Sequence, residues 1–181
     1  AVEAHEEGTP VMRPMVFEFM NDPAVPYLDQ QYMLGDALLV APVFREDKVA
    51  QYYLPEGTWT ELLTGETKEG GRWYQGTYDY FSMPLYVREN SIVVRGNCDT
   101  KPDYDYADHA TVCVYQLKDA AETKVPDIHG NNVFTVKAVK DGDTVKVSVE
   151  GAHTELKVEV FVGNEKKEAV LAADASEVVV A

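Results

Sequence analysis

The chain has 181 residues, 45% of them hydrophobic, and 31 acidic against 16 basic side chains give a formal net charge of −15. That length and composition describe a folded protein able to bury a core in one large or two small domains, and exclude a disordered chain. The acidic balance excludes a nucleic-acid partner, which requires a basic patch. No run of about 18 consecutive apolar residues is present, so neither a spanning helix nor a membrane partner is expected.

In chain order, Ala1 to Thr9 reads as the tail of a helix and lacks the basic-then-apolar pattern of a signal peptide. After Gly8-Thr9-Pro10, the run Val11 to Phe19 is apolar except for Arg13 and Glu18, which predicts a strand in a sheet covered on both faces, usually a parallel one. Asn21-Asp22-Pro23 carries a cap and a first-turn proline, predicting a short helix over 23–31. Residues 32–97 then read as strand after strand. Tyr32 to Phe44 is broken at Gly35-Asp36. Gln51 to Leu54 and Thr58 to Leu63 are expected to form a hairpin around Pro55-Glu56-Gly57. Thr64-Gly65 and Gly70-Gly71 are further turns, and Tyr78 to Val87 and Ser91 to Arg95 are further strands.

The stretch Asn97 to Asp108, rich in aspartate and poor in aliphatics, is the expected linker. Beyond it the pattern is cleaner. Phe134, Val136 and Ala138 share one face; Val145, Val147 and Val149 repeat it after the Asp141-Gly142-Asp143 turn; Leu156, Val158, Val160 and Val162 follow, with Lys157 and Glu159 outward. Period two with one wet face predicts a small antiparallel sandwich. The expected fold is mainly β, with domains over 32–97 and 98–181 after a separate segment over 1–31.

Few residues point to chemistry. Glu18 and Asp22 stand where a strand gives way to a loop and are the candidate carboxylate pair; a rim-lining or capping role is the competing reading. His5, His109, His129 and His153 are scattered in polar or turn contexts and make no zinc spacing, and Asp103-Asp105 and Asp141-Asp143 lack the remainder of a calcium loop. No metal site or cofactor is expected. Cys113 reads as a buried small hydrophobe in a cytosolic setting, with a single Cys98–Cys113 bridge as the alternative. Trp59, Trp73, Tyr74, Tyr78, Tyr80 and Phe81 crowd the middle zone and Tyr104 and Tyr106 the linker. Packing is the first reading for these rings, and sugar stacking, with Tyr104 and Tyr106 most exposed, the second.

Five phrases, in order, carry a resemblance: Gly8-Thr9-Pro10-Val11-Met12-Arg13-Pro14-Met15; Tyr27 to Asp36; Leu38 to Val43; Tyr53 to Trp59; and Met83 to Ile92. Together they resemble the C-terminal part of glycoside hydrolase family 31, most closely its bacterial α-xylosidase branch, which Pro102-Asp103-Tyr104 and Ala110 to Leu117 also resemble. The resemblance implies that residues 1–31 are the remnant of the last repeat of a (β/α)8 barrel, one strand and a short helix. Proximal and distal β-sandwiches would follow. It also implies a retaining α-glycosidase, with an aspartate nucleophile in a Trp-x-Asp-x-x-Glu phrase and a second aspartate as acid/base. Here the tryptophans read Trp59-Thr60-Glu61 and Trp73-Tyr74-Gln75, so no catalytic, substrate-binding or metal residue carries over. The expectation is a C-terminal fragment that braces an upstream catalytic barrel or supports a homo-oligomer. The alternative is a carbohydrate-binding module with an oligosaccharide as ligand.

Overall fold

Proline and glycine placement dictates the first unit. In the computed structural model, which describes residues 1–181, Ala1–Glu89 and Asn90–Ala181 form two compact units. The division falls ahead of the expected boundary at 97/98. The strand Ser91–Arg95 belongs to the second unit, and Asn97 to Asp108 lies inside that unit, where it does not act as a linker.

The first unit opens with α1 (Val2–Glu7), closed by Gly8 in the left-handed conformation. The expected strand over 11–19 is cut to β1 (Met12–Pro14), followed by the single turn α2 (Met15–Glu18). Pro14 has no N–H to extend a ladder, and Arg13 is buried against Glu18 five residues on, a contact that an extended chain cannot make. The expected helix over 23–31 is likewise a single 3-10 turn, Val25–Tyr27. Asp22 accepts from the Ala24 N–H at 2.9 Å in an Asx turn that leads into this 3-10 turn, whose N-cap, Ala24, has no side-chain cap bond, and Pro26 occupies the first turn, where a missing N–H is tolerated.

The remaining strands are β2 (Tyr32–Leu34), β3 (Leu38–Val40), β4 (Val49–Leu54), β5 (Thr58–Glu61), β6 (Thr67–Glu69), β7 (Arg72–Thr77) and β8 (Leu85–Arg88). Of the strand predicted over 78–87, residues up to Pro84 are turn and loop. One sheet has the order β1-β2-β3-β8-β5-β6, and β1 pairs antiparallel with β2, contrary to the expectation of a parallel neighbour. β4 pairs only with β7, as a separate two-stranded ribbon.

Pro55–Gly57 is therefore a crossover between ribbon and sheet, and the expected hairpin does not exist. The carbonyls that would close such a hairpin are taken elsewhere. Leu54 C=O accepts from Gly71 N–H, and Gly57 C=O from Gly70 N–H, each at 2.7 Å. Tyr52 and Leu54 from the ribbon and Met33, Leu39, Trp59 and Tyr86 from the sheet then meet in one core, with Met15 and Val25 beside them. Trp59 satisfies its indole N–H at the Pro55 carbonyl, 2.8 Å away.

The second unit contains β9 (Ser91–Arg95), β10 (Thr111–Tyr115), β11 (Ala120–Pro126), β12 (Asn132–Asp141), β13 (Thr144–Gly151), β14 (Leu156–Val162), β15 (Glu165–Leu171) and β16 (Glu177–Val180). Two four-stranded sheets, β15-β14-β10-β9 and β11-β12-β13-β16, enclose one core. The inward residues read from the alternation (Phe134, Val136, Ala138, Val145, Val147, Val149, Leu156, Val158 and Val160) are all buried in it. Val162, at the strand end, is open to solvent. The pairing is not wholly antiparallel, since β10 and β14 run parallel, Val112 opposite Val158. The mainly β, two-domain expectation holds.

Candidate functional site

A hydrolytic site needs two convergent carboxyls. Glu18 and Asp22 do not provide them. Glu18, at the end of α2, is clamped by two guanidinium groups, Arg13 at 2.7 Å and Arg88 at 3.5 Å. Arg13 spends its remaining donors on Glu3 at 2.7 Å and the Pro10 carbonyl at 3.0 Å. Asp22 is taken up by the Asx turn to the Ala24 N–H. A cleft of about 330 Å³ in the same unit is lined by Met12, Arg13, Asp29, Gln31, Tyr32 and Phe44 among others, and Asp29 is its sole carboxylate. It holds no pair for acid–base work.

The aromatic crowd resolves into a buried and an exposed set. Tyr52 and Tyr86 are buried and their hydroxyls lie 2.7 Å apart; Lys68 donates to both, at 3.0 and 2.7 Å, and Tyr78 donates to Tyr52 at 3.2 Å. The Lys68 ammonium also sits 5.2–5.7 Å from the ring centroids of Tyr52, Tyr74 and Tyr86. Burial, and then the hydrogen bond to Tyr52, push the Tyr86 and Tyr78 phenols well above the ordinary tyrosine range. These phenols stay protonated and structural. Sequence reasoning missed this cluster because its members are spread over 52, 68, 74, 78 and 86; the β4–β7, β5–β6 and β5–β8 pairings bring them together.

Of the exposed set, Trp73 is 55% open, and Tyr80 and Phe81 are 93% and 92% open. Tyr104 and Tyr106 are a self-contained pair, edge to face at 4.9 Å. Tyr104 is half-buried against Gly96, and Tyr106 donates to the Pro102 carbonyl at 2.9 Å. Tyr106 is exposed, as expected, whereas Tyr104 is half-buried, and Tyr80 and Phe81 are more open than either.

The histidines hold loops. His109 contacts Asp108 at 2.7 Å, and the two ring nitrogens of His153 lie 2.6 and 2.9 Å from the Thr154 and Ala175 carbonyls. No three His, Cys, Asp or Glu side chains converge to hold a metal ion. Cys98 and Cys113 are both free thiols, and burial pushes the Cys113 thiol up to about 11. Cys113 donates to Glu159 at 3.7 Å. Glu159, read as an outward partner of Lys157, is only 5% open at its side chain, under Arg95 at 2.7 Å, Lys157 at 2.9 Å and Lys166 at 3.5 Å. Burial works to raise its carboxyl, but the Lys157 hydrogen bond and the charges of Arg95 and Lys166 outweigh it and hold the group below the ordinary range.

Against known proteins, the family model described as "Glycosyl hydrolase family 31 C-terminal domain" matches residues 8–93, and that described as "Alpha-xylosidase YicI, C-terminal domain" matches residues 105–181. Alpha-xylosidase XylQ of Lactiplantibacillus pentosus is 34% identical over 162 residues, 87% of this chain and 21% of XylQ. Alpha-glucosidase 2 of Bacillus thermoamyloliquefaciens is 29% identical over 165 residues, 90% of this chain and 20% of that protein. The crystal structure of the GH31 alpha-xylosidase from Xanthomonas citri is similar over 98% of this chain and 22% of its own, with a TM-score of 0.77 and 27% identity. The cycloalternan-forming enzyme from Listeria monocytogenes shares the fold, with a TM-score of 0.84 at 21% identity over 98% of this chain and 21% of its own. The chain spans about a fifth of the length of these relatives.

Proposed function

Because this chain belongs to the C-terminal region of glycoside hydrolase family 31, we propose that it serves a retaining α-glycosidase, an α-xylosidase or α-glucosidase that removes α-linked terminal sugars from oligosaccharides. In this reading the two sandwich units brace an upstream catalytic barrel and perform no bond cleavage themselves. One observation carries the bracing role. Val11, Met12, Val16, Phe17 and Met20 lie within ten consecutive residues, and each is more than 40% open to solvent. Apolar surface gathered in that way marks an interaction face. Its position at the N-terminal side of the first unit fits a partner encoded upstream.

The test is to assay aryl α-xyloside and aryl α-glucoside with the 181-residue chain, with an upstream-extended enzyme, and with the extended enzyme truncated before Ala1. Turnover only by the extended enzyme, with aggregation or loss of activity on truncation, is the expected result. Hydrolysis by the 181-residue chain that survives Glu18→Gln and Asp22→Asn, or full activity of the truncated enzyme, would refute the proposal.

A further inference from the structure

We propose that the outward face of the β4–β7 ribbon is a binding strip for a neutral oligosaccharide, with Trp73 as its stacking platform and Gln51 and Gln75 as its hydroxyl readers. The ribbon turns Tyr52 and Leu54 inward, so Gln51 and Tyr53 on β4, and Trp73, Gln75 and Thr77 on β7, share the other face. Tyr53 lies directly across from Trp73, its ring 5.6 Å away and tilted by 58°, which props the indole while leaving 55% of Trp73 open. A flat, propped ring with a free surface offers the apolar area on which a sugar face stacks.

One register step along, the Gln51 side-chain N–H donates to the Gln75 carbonyl at 2.6 Å. The Gln51 carbonyl oxygen and the Gln75 amide N–H groups are left over, an acceptor beside donors, and the opposite orientation of both amides leaves the same combination. Neighbouring sugar hydroxyls present that complement. Same-face residues on a strand stand about 7 Å apart, so the amide pair falls roughly one sugar ring from Trp73.

Charge selects the ligand class. The chain carries a net charge of −15, yet the paired positions of this face (Val49 and Thr77, Gln51 and Gln75, Tyr53 and Trp73) bear no charge, which suits a neutral polyhydroxylated ligand and neither a basic nor an acidic partner. Where the ribbon ends, Asp79 accepts from the Phe81 N–H at 2.9 Å and the Ser82 hydroxyl at 2.7 Å. That turn holds Tyr80 out in solvent under the Lys48 ammonium, 5.5 Å from its ring, as a second aromatic contact for a longer chain.

The strip is independent of the bracing role. Isothermal titration calorimetry of the 181-residue chain with maltoheptaose and with a xyloglucan heptasaccharide tests it directly. Saturable binding of at least one is expected, accompanied by a tryptophan fluorescence change, since Trp73 is the exposed one of the two tryptophans. Trp73→Ala should weaken binding by about tenfold, Trp73→Tyr should retain most of it, and Gln75→Ala should weaken it by about threefold. Should Trp73→Ala fail to fold, Gln51→Ala and Gln75→Ala decide the question. No saturable response to either sugar, affinities unchanged by these substitutions, or a second copy of the chain shown by light scattering to occupy the face would each overturn the proposal.

Discussion

Replacing Gly70 by alanine sets two reasons for the Gly70-Gly71 pair against each other. Gly71 has φ +76°, where an L side chain is strained, yet its added Cβ would meet only the Glu56 side chain, at an ordinary 3.6 Å. Gly70 has a backbone conformation open to any residue, but its Cβ would lie 1.7 Å from the Pro55 carbonyl oxygen, 2.7 Å from the carbonyl carbon and 3.0 Å from the Gly57 oxygen. Those atoms are backbone and cannot swing aside. The crossover must part from the β6–β7 turn, giving up the Gly70→Gly57 and Gly71→Leu54 hydrogen bonds, while Pro55 stays tethered to the Trp59 indole. Two hydrogen bonds at about 1 kcal/mol each and an overpacking cost of about 1–3 kcal/mol put Gly70→Ala at roughly 3–5 kcal/mol. Gly71→Ala, with backbone strain alone, should cost about 1–2 kcal/mol. Urea unfolding followed by tryptophan fluorescence reads the right unit, because Trp59 and Trp73 both lie in Ala1–Glu89. If Gly71→Ala proves the more damaging, or Gly70→Ala falls within about 1 kcal/mol of the parent, the steric account of the crossover is wrong.

Three further outcomes are expected. Lys68→Met, which keeps the aliphatic stem and removes the donor to Tyr52 and Tyr86, should cost about 1–2 kcal/mol in the same urea assay; an unchanged midpoint would mean the phenols satisfy each other. Because the folded Glu159 carboxyl is held below its ordinary value of 4.5, the unfolded chain binds the extra proton, and its stabilisation is complete above that value and lost as pH falls through the lower folded one. Glu159→Gln should therefore flatten the acid limb of the second unit's stability, read by hydrogen exchange of β10 and β14, and parallel profiles would contradict this. In the native protein, iodoacetamide at neutral pH should label Cys98, whose thiol the Thr100 hydroxyl lowers, and spare Cys113, a distinction that peptide mass spectrometry resolves and that equal labelling would refute.

The sequence was most legible where one face of a strand is wet. From Phe134 to Val160 the alternation assigned every inward residue, because a slip by one position would have moved the valines into water. It was least legible where long-range partners decide. The chain bends at Pro55-Glu56-Gly57 without forming the expected hairpin, since local residues carry no information that Val49–Leu54 prefers Arg72–Thr77 over the strand next in sequence. Between Val11 and Phe19, apolar content outweighed Pro14, whose missing N–H ends the strand where α2 begins. Exposure was misjudged at Tyr104, half-buried where its ring meets Tyr106 and Gly96. The candidate pair Glu18 and Asp22 was misread, since the two carboxylates do not converge. What the sequence left unstated was that arginines from two separate strands, Arg13 and Arg88, take the glutamate.

The carboxylates whose proton affinity is clearly displaced are all held as anions. A glycosidase keeps one carboxyl protonated near neutral pH by raising its proton affinity, usually through an apolar pocket, while its partner stays ionised. Here every aspartate or glutamate with a clearly displaced proton affinity is displaced downward: Asp47, Asp79, Asp127, Glu159 and Glu168. Each is drawn down by a partner that favours the anion, whether Arg45 for Asp47, the Ser82 hydroxyl for Asp79, the Asn131 amide for Asp127 or the lysines around Glu168. Even Glu159, the most buried of them, is pulled down against its own burial. These five carboxylates, tied to cations, hydroxyls and N–H groups, fix loops and sheet faces.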